Sequence, residues 1–283
     1  MSVRILVTGI NGQVGGAIMA LKDDYPFELI PISRADWDMA KEPEKAAELI
    51  EQYQPAIVIN PAAYTNVDHA EEDENTSLKV NADAPRALAK ACQQLKIPIF
   101  HVSTDYVFDG TKEDPYIETD QTNPINAYGR TKLAGEIAIQ EEAEKYIILR
   151  TSWVFSKNGK NFVNTILKLA IERDELMVVN DQFGGPTSAE SIAKVLLHLA
   201  NAHKEQWGIY HYSGLPFVSW FEYTRIIFKQ ALINDGNFKV PVLTACTSAE
   251  LNNKSARPKN SRLNSDLIER LFSIKQNNWR EYL

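Results

Sequence analysis

The chain contains little cysteine and no long apolar stretch. Its 283 residues include only Cys92 and Cys246, which excludes a disulfide framework and favours a reducing, cytoplasmic setting. No segment approaches the roughly 20 apolar residues that a membrane-spanning helix requires. A strand-like run already begins at Val3, so no signal peptide is expected. The sequence therefore predicts a cytoplasmic protein without a membrane partner.

Basic tracts and metal-ligand spacings are missing as well. The net charge is -7 and Lys and Arg form no cluster, which argues against nucleic acid as a partner. The five histidines show no zinc-ligand spacing and no paired nucleophile, so we interpret them as core or surface residues. A chain of this length can bury a large core, which suits one main domain with a smaller lobe.

The most informative feature is a hydroxyl followed by a tyrosine and a lysine. Thr104 ends an apolar run, and Tyr128 and Lys132 lie four residues apart in a stretch of helix formers. Residues at this spacing share a helix face, and an adjacent ammonium is expected to lower the pKa of the phenol. The trio can polarise and protonate a carbonyl. Because a chain with 11 tyrosines contains about one such Tyr-Lys pair by chance, the interpretation needs support from other segments.

A glycine-rich segment near the N-terminus provides that support. The apolar run from Val3 to Val7 leads into Gly9, Gly12 and Gly15, and a helix-like stretch follows. A strand, a glycine turn and a helix start in this order present free backbone N–H groups to a phosphate. We therefore predict a dinucleotide-binding turn with G-x-x-G-x-x-G spacing.

The end of the second predicted strand, Phe27 to Ile32, bears on the choice of dinucleotide. Ser33 and Arg34 follow it, at the place where such folds bind the adenosine ribose, and both side chains suit a 2′-phosphate. NADPH is therefore the favoured cofactor. Asp36 and Asp38 keep NADH open, because a carboxylate at this place accepts a hydrogen bond from the ribose 2′-hydroxyl.

Strand-like and helix-like segments alternate through most of the chain. Further strands are predicted at 56–60, 98–103, 146–150, 176–180 and 208–213, and helices at 76–95, 126–142, 162–173 and 220–232. This alternation predicts an α/β fold, namely a Rossmann-type doubly wound parallel sheet with a smaller, partly interleaved C-terminal substrate lobe. We assign 1–152 to the NAD(P)-binding domain, with return segments near 176–212, and 153–283 mainly to the substrate-binding lobe.

These motifs resemble the extended short-chain dehydrogenase/reductases, and more specifically the dTDP-4-dehydrorhamnose reductase family. The stretches that carry the resemblance occur in order over nearly the whole chain: NPAAYTNVD at 60–68, STDYVFDG at 103–110, NAYGRTKLAGE at 126–136, LRTSWVF at 149–155, DQFGGPT at 181–187 and RPKNSRL at 257–263. The resemblance implies NADPH-dependent reduction of the C4 ketone of dTDP-4-dehydro-L-rhamnose, the last step of dTDP-L-rhamnose synthesis for cell-surface polysaccharide.

The resemblance also implies roles for single residues. Tyr128 donates the proton, Lys132 holds the nicotinamide ribose and tunes Tyr128, and Thr104 donates a hydrogen bond to the carbonyl. The implied cofactor contacts are Gly9, Asn11, Gly12, Gln13, Val14, Gly15, Ser33, Arg34, Asp38, Met39, Ala62, Ala63, Tyr64, Tyr128 and Lys132. The implied substrate contacts are Val67, Thr104, Asp105, Phe108, Tyr128, Trp153 and Arg257.

Several of these assignments have an alternative. Trp153 is expected to stack on the thymine base, or else to be a core residue. Arg257 either grips the diphosphate or forms a surface ion pair. Val67 and Phe108 either wall the sugar site or belong to the core. Asn81 either matches a helix asparagine that extended relatives carry near the lysine, or is an exposed polar residue.

Some reductases of this kind form a magnesium-bridged dimer through two acidic residues. Glu190 matches the first of these, but no counterpart of the second is evident before Leu283. We therefore expect no metal-bridged dimer, leave a homodimer of another kind open, and interpret Glu190 as a surface carboxylate rather than a Mg²⁺ ligand.

Two other functions fit the same motifs. A nucleotide-sugar epimerase or dehydratase would share the fold together with Tyr128 and Lys132, but would keep its cofactor bound through the cycle. A non-catalytic NADP-binding regulatory subunit, similar to the beta subunit of methionine adenosyltransferase, would bind a partner enzyme without turnover. Net oxidation of NADPH separates the reductase from both.

Overall fold

The computed structural model describes residues 2–251 and 254–283. Its strands are β1 (Val3–Thr8), β2 (Phe27–Ile32), β3 (Ile57–Asn60), β4 (Ile99–Thr104), β5 (Tyr146–Thr151), β6 (Val154–Phe155), β7 (Glu175–Val179), β8 (Phe183–Gly184), β9 (Thr187–Ser188), β10 (Gly208–His211), β11 (Val218–Ser219), β12 (Val242–Cys246) and β13 (Asn260–Ser261). Its α-helices are α1 (Gln13–Ala20), α2 (Ala46–Tyr53), α3 (Val67–Glu72), α4 (Glu74–Leu78), α5 (Ala84–Leu95), α6 (Ala127–Glu142), α7 (Phe162–Glu172), α8 (Ala189–Ala202), α9 (Trp220–Asn234), α10 (Ser248–Leu251) and α11 (Asp266–Phe272).

Six strands form one parallel sheet in the order β10-β5-β4-β3-β1-β2. The chain passes from β1 to β2 on one side and then to β3 on the other, so the strand order reverses at β1. At such a reversal the carboxyl ends of the strands open a crevice that binds ligands. The parallel sheet confirms the fold class that the alternation of segments predicted.

Helices cover both faces of this sheet because its side chains alternate between two apolar layers. Ile5 and Val7 of β1 pack on one face with α1, α8 and α11. Leu6, between them, packs on the other face with α2, α5 and α6. None of the helices in the described ranges is both long and apolar enough to cross a membrane.

A smaller lobe follows β5 and has its own core. Tyr223, Phe228 and Trp279 are buried there with side chains of α7 and β7. The strand predicted at 176–180 forms as β7, but it pairs in parallel with β12 rather than joining the central sheet. The return to the central sheet is made instead by α8 and β10. Apolar periodicity identified β7 as a strand, but it does not specify a strand's partner.

The helix predicted at 76–95 is interrupted. Between α4 and α5 the chain makes a π-helical turn at Lys79–Asp83, which brings the carbonyl of Asn81 against α6. Gly135 of α6 permits this approach, since a Cβ at that position would collide with the Asn81 carbonyl oxygen. The turn is therefore a consequence of tertiary packing between two helices, and helix propensity alone could not reveal it.

Candidate active site

The glycine turn after β1 is built to hold an anion. Gly9 adopts φ +59°, and a Cβ there would lie 2.8 Å from the Cα of Ala62, so only glycine fits comfortably. Gly12 is the N-cap of α1 and offers no capping side chain. The first backbone N–H groups of α1 consequently remain available to a phosphate, which the positive end of the helix dipole also favours.

This turn forms one wall of a crevice of about 1370 Å³. That volume exceeds the roughly 300 to 1,000 Å³ of ordinary ligand pockets and is large enough for two ligands side by side. The predicted site residues that line it are Asn11, Gly12, Gln13, Val14, Ala63, Val67, Thr104, Asp105, Tyr128, Lys132, Trp153 and Arg257. The crevice is therefore lined by segments that lie far apart in the sequence, from the glycine turn near the N-terminus to Arg257.

The three predicted catalytic residues all line the same crevice as the glycine turn. Thr104 is the last residue of β4, and its hydroxyl oxygen accepts a hydrogen bond from the backbone N–H of Tyr106 at 3.2 Å. Tyr128 is the second residue of α6, which begins after Asn126 because the Asn126 side chain caps the backbone N–H of Gly129 at 2.8 Å. Lys132 follows one turn later, on the same helix face.

The electrostatics of Tyr128 differ from the sequence-based expectation. Burial raises the pKa of the Tyr128 hydroxyl above its ordinary value, and contact with the Thr104 hydroxyl opposes this rise only in part. The predicted lowering by the lysine is wrong for the ligand-free protein, because within the described residues the ammonium of Lys132 makes no hydrogen bond to Tyr128. At neutral pH Tyr128 is therefore protonated, the form that a proton donor requires.

Lys132 is buried and directed toward the sheet. Its Nζ lies 2.9 Å from Nε2 of His101 and donates to the carbonyl oxygen of Val102 at 2.8 Å. Burial lowers its pKa to about 8. His101 is buried too, and burial holds its pKa well below the usual value. Sequence reasoning had interpreted His101 as an ordinary core residue, because nothing in the local pattern indicates its proximity to Lys132.

Asp105 lies next to Thr104 and is also almost fully buried. The Thr104 hydroxyl donates to its Oδ1 at 3.1 Å, whereas Oδ2 makes no hydrogen bond within the described part of the chain. Burial raises the pKa of Asp105 to about 7. The crevice therefore contains a carboxyl group that gains or loses a proton near neutral pH.

Comparisons with known proteins agree with this geometry. A family model described as the RmlD substrate binding domain matches residues 3–283. The dTDP-4-dehydrorhamnose reductase of Aggregatibacter actinomycetemcomitans is 39% identical over 99% of this chain and 97% of that protein. The enzyme of the same name from Sinorhizobium fredii is 41% identical over 99% of this chain and 95% of that protein.

A solved structure extends the similarity to three dimensions. The dTDP-4-dehydrorhamnose reductase of Bacillus anthracis, in complex with NADP, superimposes with a TM-score of 0.91 at 34% identity, covering 99% of this chain and 97% of that one. The chain belongs to the dTDP-4-dehydrorhamnose reductase family. The family indicated by the sequence motifs is thereby confirmed, and the chain is an oxidoreductase of the extended short-chain type.

In this family member, Asn81 is buried beside the catalytic helix and is not an exposed residue. Its side chain accepts from the backbone N–H of Tyr64 at 2.8 Å and donates to the hydroxyl of Thr131 at 3.1 Å. Asn81 thus joins the 60–68 segment to α6 through the π-helical turn. Of the two interpretations that the sequence left open, the structure supports the one that places it near the lysine.

Four predicted cofactor residues lie outside the main crevice, at the end of β2. Arg34 is exposed, and its guanidinium lies 3.4 Å from a carboxylate oxygen of Asp38. Ser33 donates its hydroxyl and its backbone N–H to the carboxylate of Asp36, at 2.6 and 2.8 Å. Met39 is buried in the core beneath them. Arg34 is exposed, so its guanidinium can turn from Asp38 toward an anionic ligand.

Two predicted cofactor contacts of the 60–68 segment, Ala62 and Tyr64, also do not line the crevice, and neither do Gly9 and Gly15 of the glycine turn. Ala62 packs against Gly9 and braces the glycine turn from behind. The hydroxyl of Tyr64 lies 2.7 Å from Nδ1 of His69. Both residues support the crevice wall that Ala63 and Val67 form.

An aromatic pair lines the far end of the crevice. Trp153 adopts φ +48° and stacks on Trp220, with ring centroids 3.5 Å apart and planes 10° from parallel. Trp220 begins α9 and was not identified from the sequence, because its position in the chain gives no sign that it meets Trp153. One face of the Trp153 indole is therefore already covered by Trp220.

Arg257 also reaches the crevice. Its guanidinium lies 3.4 Å from a carboxylate oxygen of Asp68, and its Nε is buried without a hydrogen bond inside the described ranges. An arginine with an unused buried donor suits an anionic ligand.

Phe108 departs from the predicted substrate contacts, and Glu190 is the residue that the sequence raised only as a doubtful Mg²⁺ ligand. Phe108 is fully buried, stacks on Tyr116 at 4.1 Å and lies under the guanidinium of Arg150 at 5.1 Å, so it is a core residue and not a wall of the crevice. Glu190 is half-exposed and pairs with Lys194 at 2.7 Å. Over residues 2–251 and 254–283 no group of three metal-ligating side chains comes together.

Proposed function

We propose that the protein reduces the C4 ketone of dTDP-4-dehydro-L-rhamnose to dTDP-L-rhamnose with NADPH, as the last step of dTDP-L-rhamnose synthesis in the cytoplasm. The observation that carries this proposal is the convergence of Thr104, Tyr128 and Lys132 on the crevice that the glycine turn also lines. The names of the two curated relatives support a dTDP-sugar as the substrate.

The residues of the crevice fit a dinucleotide phosphate. The uncapped start of α1 would hold the diphosphate, Lys132 would contact the nicotinamide ribose, and Arg34 would contact the 2′-phosphate. The relative from Bacillus anthracis contains NADP, which supports the same choice here. When bound, NADPH supplies the hydride that reduces the ketone.

The proton chemistry belongs to the chain itself. The Thr104 hydroxyl, which donates to Asp105 in the ligand-free protein, turns to donate its hydrogen bond to the C4 carbonyl oxygen and polarises the carbonyl. As C4 is reduced, negative charge develops on that oxygen, and Tyr128 transfers its hydroxyl proton there. The resulting tyrosinate is stabilised by the positive charge of Lys132 on the same helix face. Proton donation of this kind contributes about 10² to 10⁴-fold to the rate.

The nucleotide part of the substrate is held at the other end of the crevice. The thymine base stacks on the indole pair of Trp153 and Trp220, and Arg257 contacts the diphosphate. Stacking of a base on an aromatic ring contributes about 1 to 3 kcal/mol. Val67 borders the sugar, and Asp105 offers a carboxyl group to a sugar hydroxyl.

The test is a nucleotide-sugar panel followed at 340 nm with NADPH, using wild type and Tyr128→Phe. We expect wild type to oxidise one NADPH for each dTDP-4-dehydro-L-rhamnose reduced. Tyr128→Phe should lose about 10² to 10⁴-fold in kcat while binding NADPH as wild type does, because only the acidic hydroxyl is removed. A variant that retains wild-type turnover would refute the proton-transfer role.

The same assay distinguishes the alternatives. An epimerase or dehydratase would convert a nucleotide sugar without net oxidation of NADPH. A regulatory subunit would bind the cofactor but turn over none of the sugars in the panel. Either result would contradict the proposed reduction.

A further inference from the structure

Among the described residues, Lys132 is a buried cation that forms no salt bridge with a carboxylate. The acidic side chain that acts on its charge is Glu136, one turn further along α6. The carboxylate of Glu136 is already held by Arg150 of β5, with contacts of 2.6 to 3.2 Å. The side-chain partner of Lys132 is therefore His101 of β4, at 2.9 Å.

His101 belongs to a buried chain of polar groups that crosses three strands. Its Nδ1 lies 3.0 Å from Nδ2 of Asn60 on β3, and Oδ1 of Asn60 accepts from the hydroxyl of Thr8 on β1 at 2.5 Å. Thr8, Asn60 and His101 are all 0% exposed, and Lys132 is 1% exposed. The chain thus connects the residue before the glycine turn to the lysine of the active site.

The protons in this chain have to be ordered, because a neutral imidazole carries only one N–H. When Lys132 is an ammonium, it donates to Nε2 of His101, so the imidazole hydrogen resides on Nδ1. Nδ1 then needs an acceptor, and the backbone carbonyl of Asn60 is a hydrogen-bond partner of the imidazole. The Asn60 side chain keeps its oxygen toward the Thr8 hydroxyl, because a contact of 2.5 Å suits O–H···O and is too short for N–H···O.

A charge-assisted hydrogen bond is about twice as strong as a neutral one. The contact with His101 therefore favours the ammonium form of Lys132 and opposes the cost of burial. We propose that neutral His101 is the positioning residue that holds Lys132 and keeps it charged, with the backbone carbonyl of Asn60 favouring the imidazole tautomer that accepts at Nε2. This inference rests on the proposed function, in which a charged Lys132 stabilises the tyrosinate of Tyr128.

The first experiment measures the pKa of Lys132 directly. Protein labelled with ¹³C and ¹⁵N in lysine is titrated by NMR without ligands, and the Lys132 signal is assigned by its absence in Lys132→Met. We expect His101→Leu to lower the titration midpoint of Lys132 by about one pH unit or more, a tenfold loss of ammonium over amine. His101→Gln should restore most of the shift, because its amide oxygen reaches the place of Nε2.

Two further variants serve as matched comparisons. In His101→Asn the shorter amide occupies only the position of Nδ1 and does not reach Lys132. The Lys132 midpoint in this variant should therefore match that in His101→Leu. His101→Asn is used in place of His101→Leu if the leucine variant does not fold. His211→Gln removes another fully buried histidine, one that contacts Tyr116 and Arg150, and should leave the midpoint of Lys132 unchanged. An unchanged midpoint in both His101→Leu and His101→Asn would overturn the proposal.

The second experiment follows the pH dependence of kcat/KM, which reports the ionisable groups of the free enzyme. Because the ammonium form is the active one, kcat/KM falls as pH rises through the pKa of Lys132, and this basic limb should move to lower pH in His101→Leu in parallel with the NMR midpoint. A basic limb that stays in place while the NMR midpoint moves would also contradict the proposal. If wild type reduces none of the sugars, the proposed function fails, and the NMR titration still decides the role of His101.

Discussion

At the scale of single residues, Arg34 is the side chain expected to distinguish the two dinucleotides. It is exposed at the end of β2 and paired with Asp38, and such an exposed pair contributes little to stability. Arg34→Ala should therefore raise the KM for NADPH about 10-fold or more, the effect of losing one charge-assisted hydrogen bond, and leave the KM for NADH nearly unchanged. Steady-state kinetics with NADPH and with NADH measures both KM values. The control is Lys41→Ala, which removes a neighbouring cation that is also close to Asp38.

Asp105 gives a prediction about pH and stability. Burial raises its folded-state pKa to about 7, so between about pH 4 and pH 7 the folded state binds a proton that the unfolded state has lost. Stability from this group therefore falls as pH rises through that window. Asp105→Asn lacks the effect, so its Tm should equal that of wild type near pH 4 and exceed it by on the order of 10 °C at pH 8.

The control for Asp105→Asn is the same substitution at a solvent-exposed aspartate. Asp23 is exposed, so Asp23→Asn should leave the Tm unchanged relative to wild type at both pH values. Thermal unfolding of the three proteins at pH 4, 6 and 8 provides the measurement. A Tm difference between Asp105→Asn and wild type that is the same at all three pH values would show that the buried carboxyl does not titrate as described.

At the scale of elements, the contact of α6 with the π-helical turn at Lys79–Asp83 fixes the catalytic helix. Gly135→Ala would place a methyl group against the Asn81 carbonyl, and overpacking of this kind costs about 1 to 3 kcal/mol. Since a displacement of about 1 Å can cost 10²-fold in rate, kcat should fall together with Tm. Gly236→Ala, where nothing lies within 4 Å of the added carbon, should change neither.

The elements also show how far the sequence could predict this molecule. The parallel sheet, the glycine turn and the shared helix face of Tyr128 and Lys132 were predictable, because apolar alternation, glycine spacing and the Tyr-x-x-x-Lys interval are local signals. The partner of β7, the contact of Trp220 with Trp153 and the burial of Phe108 were not, since each depends on which distant segment packs there. His101 was missed for the same reason, because its 31-residue separation from Lys132 carries no periodic signal.

At the scale of the whole molecule, the structure bears on metal-dependent association. Glu190 is engaged by Lys194, and within the described chain no cluster of three ligands exists. Mg²⁺ prefers several oxygen ligands in a defined octahedral arrangement, so a lone carboxylate paired with lysine is a poor site. We expect sedimentation equilibrium to give the same mass with Mg²⁺ and with EDTA. A mass that doubles only with Mg²⁺ would show that a metal-bridged dimer forms after all.

Two indoles stacked at 3.5 Å couple their electronic transitions, so the crevice contains a built-in optical reporter. The coupled pair Trp153 and Trp220 should give a signed couplet in the circular dichroism spectrum, which isolated tryptophans elsewhere in the chain do not produce. A thymine that slides between the rings would weaken the couplet by moving the indoles apart, whereas one that stacks on the outside would preserve it. The geometry of nucleotide binding can thus be observed in solution without a label.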